Sequence, residues 1–151
     1  MFELTPEPFF KKRLTISTAS AVEPDVYIEQ DLVISWKYLQ EDERQAFIER
    51  FNEGIQSDRK SAEAYGKALT EAQKEGRNTR KKLPVRVFDD KWICRELIVD
   101  IEGLLVNGEP LAFKPDLIDQ LYRRAEAATA LAEVIPDILS GKAQLQALEK
   151  N

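Results

Sequence analysis

Two alternating runs near the N-terminus constrain this chain most, because a period of two in hydrophobicity commits a segment to a strand with one buried face. From Lys12 to Thr18, Leu14, Ile16 and Thr18 alternate with Thr15 and Ser17. A second run starts with Val26 and Ile28 on one face and resumes after Asp31, where Leu32, Ile34, Trp36 and Tyr38 alternate with Val33, Ser35 and Lys37. The interruption at Gln30-Asp31 is expected to be a bulge. The runs are separated by a loop, Ala19 to Asp25, that contains Pro24, so the simplest pairing is an antiparallel hairpin. A lone hairpin is marginal in water and needs a helix on one face. Met1 to Phe10, with Pro6 and Pro8, reads as an irregular arm tacked down by Phe9 and Phe10.

The helices follow. Glu41 to Gln56 repeats Phe47, Phe51 and Ile55 at i, i+4 and i+8, with Glu41, Asp42 and Glu43 where the helix dipole favours negative charge. Gly54 and Ser57-Asp58 are expected to end or bend it. A second, more polar helix is expected from Ser61 to Glu75, on a stripe of Ala62, Tyr65, Leu69 and Ala72, with Gly76 as its stop. Pro84 to Val87 reads as extended, and Asp90 to Glu102 as a helix capped by Asp89 or Asp90. Val106 to Pro110 is a turn built on Asn107-Gly108. Pro115 opens a helix striped by Leu117, Ile118, Leu121, Tyr122, Ala125, Ala128 and Ala132, which Pro136 should break or kink. The last ten residues read as a thin helical tail. The whole is one α+β domain over 1–151: an N-terminal antiparallel β-hairpin packed against a mainly α-helical remainder, with a polar, mobile insertion at 57–82.

Composition narrows the function. The chain has 151 residues, a net charge of −5 and no histidine. Losing histidine removes the commonest general base, the commonest zinc ligand and the usual partner of a Ser or Cys nucleophile. The scattered glycines form no phosphate-cradling loop. Negative charge disfavours nucleic acid, and no apolar run is long enough for a membrane span. The basic stretch Gly76 to Lys82 would suit nucleic acid or an acidic partner, but in an acidic chain it reads first as a solvated loop. Cys94 cannot make an internal disulfide and lacks a base, so it reads as a small buried hydrophobe. Trp36 and Trp92 are of the type that anchors partners, although Trp36, in register with Ile34 and Tyr38, reads as core. Glu96 and Asp100, at i and i+4 on the expected helix, could join Glu102 or Asp89-Asp90 in a hard-cation site, yet a solvated face explains them as well. No cofactor is expected, and the chain reads as a soluble, cytosolic protein that works by binding another protein.

Four passages give that partner a chemistry. Trp36-Lys37-Tyr38-Leu39 leads into Glu41-Asp42-Glu43, and a hydrophobic segment ends in Ile101-Glu102-Gly103 after a variable polar stretch. Gly108-Glu109-Pro110-Leu111-Ala112-Phe113 leads through Lys114-Pro115-Asp116 into a helix, and the sequence ends in Lys150-Asn151. In this order of features the chain resembles the tail assembly chaperones of long-tailed, siphophage-type bacteriophages and prophages. Ile101 stands where that family often has Trp, Gln40 stands where a hydroxyl N-cap is usual, and the 57–82 insertion is longer and more basic.

The resemblance implies a non-enzymatic protein that binds the tape-measure protein and recruits tail-tube subunits. It would act in the cytoplasm of the bacterial host and be absent from the mature virion. The working surface is then expected on the helix from 116 to 132 and the aromatics beside it: Phe113, Leu117, Leu121, Tyr122, Ala125 and Ala128. Self-association into a homo-oligomer stays open. The alternatives are a secretion-type chaperone, also small and acidic, and a metal-dependent hydrolase using Glu96 and Asp100.

Overall fold

In the computed structural model, residues 4, 7–78 and 82–149 are described. The strand pair is a hairpin as expected, but longer than its clearest alternation: β1 spans Phe9–Ala19 and β2 spans Tyr27–Lys37. Phe9 and Phe10 therefore begin a strand; they do not close an irregular arm. The two strands pair from Phe9↔Lys37 to Ala19↔Tyr27 without a slip, so the bulge expected at Gln30-Asp31 is absent. Val26 and Ile28 were in phase with Leu32 throughout. Gln30 breaks the apolar pattern because it lies on the exposed outer half of the hairpin. In the loop, Ser20 Oγ accepts the N–H groups of Val22 and Glu23, both at 3.2 Å, and Asp25 takes a positive φ of 61°.

A third strand, β3 (Ile98–Glu102), joins antiparallel on the far side of β2, giving the order β1-β2-β3. This corrects the expected helix over Asp90–Glu102, which as α2 runs only from Asp90 to Leu97. Ile93, Leu97 and Ile101 suit helical spacing, but Ile98, Val99 and Ile101 are β-branched and the open edge of β2 supplies the hydrogen bonds that decide the matter. The one register shift of this sheet lies between Ser35 and Trp36, opposite β3. Inward residues of the three strands meet directly: Phe10 with Trp36, Leu14 with Leu32, and Ile34 with Ile101. Trp36, 1% exposed, belongs to the same buried core as Ile93, Cys94 and Leu97 of α2.

The two helices expected over 41–56 and 61–75 are one, α1 (Glu41–Lys74), roughly 51 Å long at 1.5 Å per residue. Glu43 accepts the backbone N–H of Gln40 at 3.0 Å, completing the acidic first turn. Gly54 does not stop the helix. It is buried in the middle of α1, and a Cβ there would lie 2.1 Å from the ring of Phe88, so the position is a notch for that side chain. Asp58 does not bend the helix either; its carboxylate accepts the N–H groups of Val87 (3.0 Å) and Phe88 (2.8 Å). The true stop is Gly76, at φ 69°, where the N–H of Arg77 returns to the carbonyl of Ala72 at 2.9 Å. The basic stretch that follows lies partly outside the described residues, at 79–81.

Phe47, Phe51 and Phe88 all pack on Trp92, at ring-centroid distances of 5.3, 5.8 and 4.9 Å. The Arg50 guanidinium covers Trp92 at 5.1 Å. This cluster ties α1 to the start of α2 and engages Trp92 within the molecule, so it is no free anchor.

After β3, Leu105–Val106 (β4) and Glu109–Pro110 (β5) form a small hairpin on Asn107-Gly108, whose φ values of 52° and 80° are those of the expected two-residue turn. The helix expected from 116 to 132 is two helices, α3 (Leu117–Tyr122) and α4 (Ala125–Leu139). On one straight helix the faces of Leu117-Ile118-Leu121-Tyr122 and of Leu131-Ile135-Ile138 would lie about 100° apart, one residue's rotation. The extended Arg124 (φ −95°, ψ 117°) resets the phase, and α4 buries Ala127, Leu131, Ile135 and Ile138 instead of Ala125, Ala128 and Ala132.

Pro136 does not end α4. Its missing N–H leaves the carbonyl of Ala132 without a helical partner, and both residues lie on the exposed face. The tail forms α5 (Lys142–Glu149), while Lys150-Asn151 lie outside the described residues. Gln144 holds α5 in place by donating to the carbonyl of Leu39 (2.9 Å) and accepting its N–H (3.3 Å). Arg44 donates to the carbonyl of Leu139 at 3.2 Å, placing a cation at the C-terminus of α4.

Candidate protein-binding groove

The hairpin is longer than the body that covers it. Phe10, Leu14, Leu32, Ile34 and Trp36 on its inner face are buried, whereas Ile28 and Val26, further along the same face of β2, are half exposed. A groove of about 650 Å³ opens where the cover ends. Its floor is the sheet at Ile16, Thr18, Gln30 and Leu32. On one side stand Leu104, Leu105, Val106 and Leu111 around the β4–β5 hairpin, and on the other Leu117, Leu121 and Ala127 at the α3–α4 junction. Leu105 and Val106 are 62% and 51% exposed, which leaves much of their aliphatic surface in water.

The charges around this groove are balanced locally. Arg124 donates to Glu126 at 2.6 Å, and the Glu126 carboxyl is held below its ordinary pKa by its own backbone N–H and by Arg124. Asp31 accepts from Thr15 at 2.8 Å and lies 3.8 Å from Arg13. A cleft with this aliphatic lining, edged by Thr18, Gln30, Gln120 and the charged pairs, has the chemistry to accept the apolar face of an amphipathic segment.

Of the six residues expected to form the working surface, the structure brings Leu117 and Leu121 into this groove. Leu117 is 8% exposed and contributes mostly its packing. Phe113 is half-buried against the core. Tyr122 is turned to Cys94, with its hydroxyl 3.3 Å from the thiol sulfur. Ala125 is exposed at the start of α4 and Ala128 is half-buried, and neither lines the groove. Sequence reasoning missed Ile16, Leu32, Leu105 and Leu111. The available signal was that Val26 and Ile28 keep the inner-face phase on a hairpin too long for its cover.

The other candidates are used structurally. Cys94 is enclosed, and burial pushes its thiol up to about 12, so at neutral pH it is protonated and a poor nucleophile. Burial, then the neighbouring Cys94, also raises the Tyr122 phenol above its ordinary range. Glu96 lies on α2 and Asp100 on β3, so the helix face they were expected to share does not exist. Glu96 pairs with Arg50 at 3.1 Å, Glu102 with Lys11 at 3.2 Å, and Asp89 caps α2 by accepting the N–H of Trp92 at 3.0 Å. Among the described residues no cluster of three or more Cys, Asp or Glu is placed to hold a metal ion, and no helix is long and apolar enough to cross a membrane. No protein-family model, curated protein or solved structure matches this chain.

Proposed function

We propose that this protein is a non-enzymatic tail assembly chaperone of a long-tailed phage or prophage. It binds apolar helical segments of the tape-measure protein, helps recruit tail-tube subunits, works in the host cytoplasm and leaves the finished particle. The observation that carries this reading is the groove between the outer hairpin and the α3–α4 junction. Its half-covered aliphatic lining is the surface a chaperone needs to shield a long, helical, aggregation-prone client, and the surrounding net charge of −5 keeps the pair dispersed. The likeness of the Ile101-to-Phe113 passage to tail assembly chaperones supports the same client. The protonated thiol of Cys94 and the dispersal of the carboxylates into caps and ion pairs favour binding over catalysis.

Co-expression with a tape-measure protein encoded in the same gene cluster tests the reading, and a cluster that encodes none counts against it. The expected outcome is a soluble complex that co-purifies, with recovery cut at least tenfold by Leu105→Glu or Val106→Glu, both exposed positions of the groove whose substitution leaves the circular dichroism unchanged. A tape-measure protein that stays insoluble beside well-folded chaperone would sink the proposal. So would variants that bind like the wild type.

A further inference from the structure

The distal half of α1 and the segment returning from it carry charge opposite to the rest of the molecule. Residues 56–88 hold nine Lys or Arg against four Asp or Glu, so this arm is +5 in a chain of −5, and the remainder is −10. The returning segment is anchored at one end, where Val87 and Phe88 donate to Asp58 and the Phe88 ring fills the notch at Gly54. Ahead of that anchor Leu83, Val85 and Val87 occupy alternate positions and are 71%, 81% and 51% exposed. A cleft of about 350 Å³ separates the segment from α1, lined by Ile55, Ala62, Pro84 and Val85 together with Arg59, Arg86 and Asp58, whose carboxylate is taken up by the N–H groups of Val87 and Phe88. Among the described residues, Arg59 and Arg86 take part in no ion pair, and residues 83–86 make no backbone hydrogen bond.

We propose that this strip is a second docking site, for an extended acidic protein segment with apolar residues at alternate positions, laid along residues 83–87 as an added strand. Each property of the strip selects one property of the occupant. Alternating aliphatic side chains match a period of two. The N–H groups of Leu83, Val85 and Arg86 make no backbone hydrogen bond and match pairing with an added strand, whereas Pro84 has no N–H and that of Val87 is bound to Asp58. The guanidinium groups, in no ion pair among the described residues, match carboxylates, which they can bind in bidentate fashion. Nucleic acid fits less well. The exposed residues are aliphatic, with no stacking platform for bases, and the −10 remainder repels phosphates.

The test measures binding of the full chain to a labelled nine-residue peptide alternating Glu and Val. Comparison probes of equal length are an all-Glu peptide, a Lys/Val peptide and oligo-dT. The Glu/Val peptide is expected to bind best, to weaken as salt rises from 50 to 200 mM, and to slow amide exchange over 83–87. Arg86→Glu and Val85→Asp, both at exposed positions, are expected to weaken it at least tenfold each. The proposal is overturned if the peptide does not bind, if all-Glu or oligo-dT binds as tightly, or if protection falls only on the hairpin groove. Binding at this strip is independent of the tape-measure assignment, and either can fail alone.

Discussion

Two glycines of the same helix are predicted to respond to the same substitution with opposite signs. Alanine is preferred over glycine inside a helix by about 1 kcal/mol. At Gly66 nothing lies within 4 Å of the new methyl group, so Gly66→Ala should realise that gain. At Gly54 the methyl carbon would meet Phe88 Cδ1 at 2.1 Å and Cγ at 2.2 Å, where ordinary contact begins at 3.4 Å, so the ring must retreat by about 1.3 Å. It has little freedom to do so, because its own N–H is bound to Asp58 at 2.8 Å and its ring packs on Trp92 at 4.9 Å. Overpacking of this kind costs about 1–3 kcal/mol, and the aromatic contact at risk is worth a further 0.5–1.5 kcal/mol or so. After the helical gain is subtracted, Gly54→Ala should destabilise by about 0.5–3.5 kcal/mol. At roughly 2–4 °C per kcal/mol for a chain of this size, thermal melts followed by far-ultraviolet circular dichroism separate the two variants by several degrees on opposite sides of wild type. Near-ultraviolet dichroism should change only in Gly54→Ala, through Trp92. If both substitutions stabilise equally, Phe88 does not occupy the notch and the account of the long helix is wrong.

Other outcomes follow from the core and its clasps. Cys94 titrates higher in the folded chain than in the unfolded one, so its contribution is intact below pH about 8.5 and is lost as pH rises toward 12, at about 1.4 kcal/mol per unit. Urea midpoints between pH 9 and 10 should therefore fall more steeply for wild type than for Cys94→Ala, and parallel curves would contradict the burial argument. Trp36→Ala, at the centre of the sheet, should cost about 3–5 kcal/mol by denaturant unfolding; a loss under 1 kcal/mol would mean that the inner face is not closed. Gln144→Ala removes both bonds to Leu39 and should lower stability by about 1–3 kcal/mol while speeding amide exchange in α5. Unchanged exchange in α5 would show that Ala143 and Ala147 hold that helix alone.

The hairpin and the Asn107-Gly108 turn were readable because their determinants are local: alternation over a few residues for the strands, tolerance of positive φ for the turn. The antiparallel pairing of the Lys12–Thr18 run with the run from Val26 to Tyr38 follows from the first of these, though not the start of the strand at Phe9. Leu117 and Leu121 of the groove were readable for the same reason, since they announce themselves by helical spacing.

The misreadings share one cause, which is that a residue's local preference was overruled by a distant partner. Gly54 looks like a helix stop until Phe88 fills it. Ile98 to Ile101 look helical until β2 offers an edge. Arg123-Arg124 look like any polar helical pair until the two apolar faces on either side have to meet one core. The groove belongs to the same class, because its walls come from Ile16, Leu105, Leu111 and Leu121, which lie far apart in sequence and become neighbours only when the hairpin outruns its cover. The sequence by itself determined which segments alternate, turn and carry charge, through interactions a few residues long. Only the tertiary structure decided where helices continue, where a strand replaces one, and which apolar side chains stay uncovered, because those outcomes depend on what packs against them.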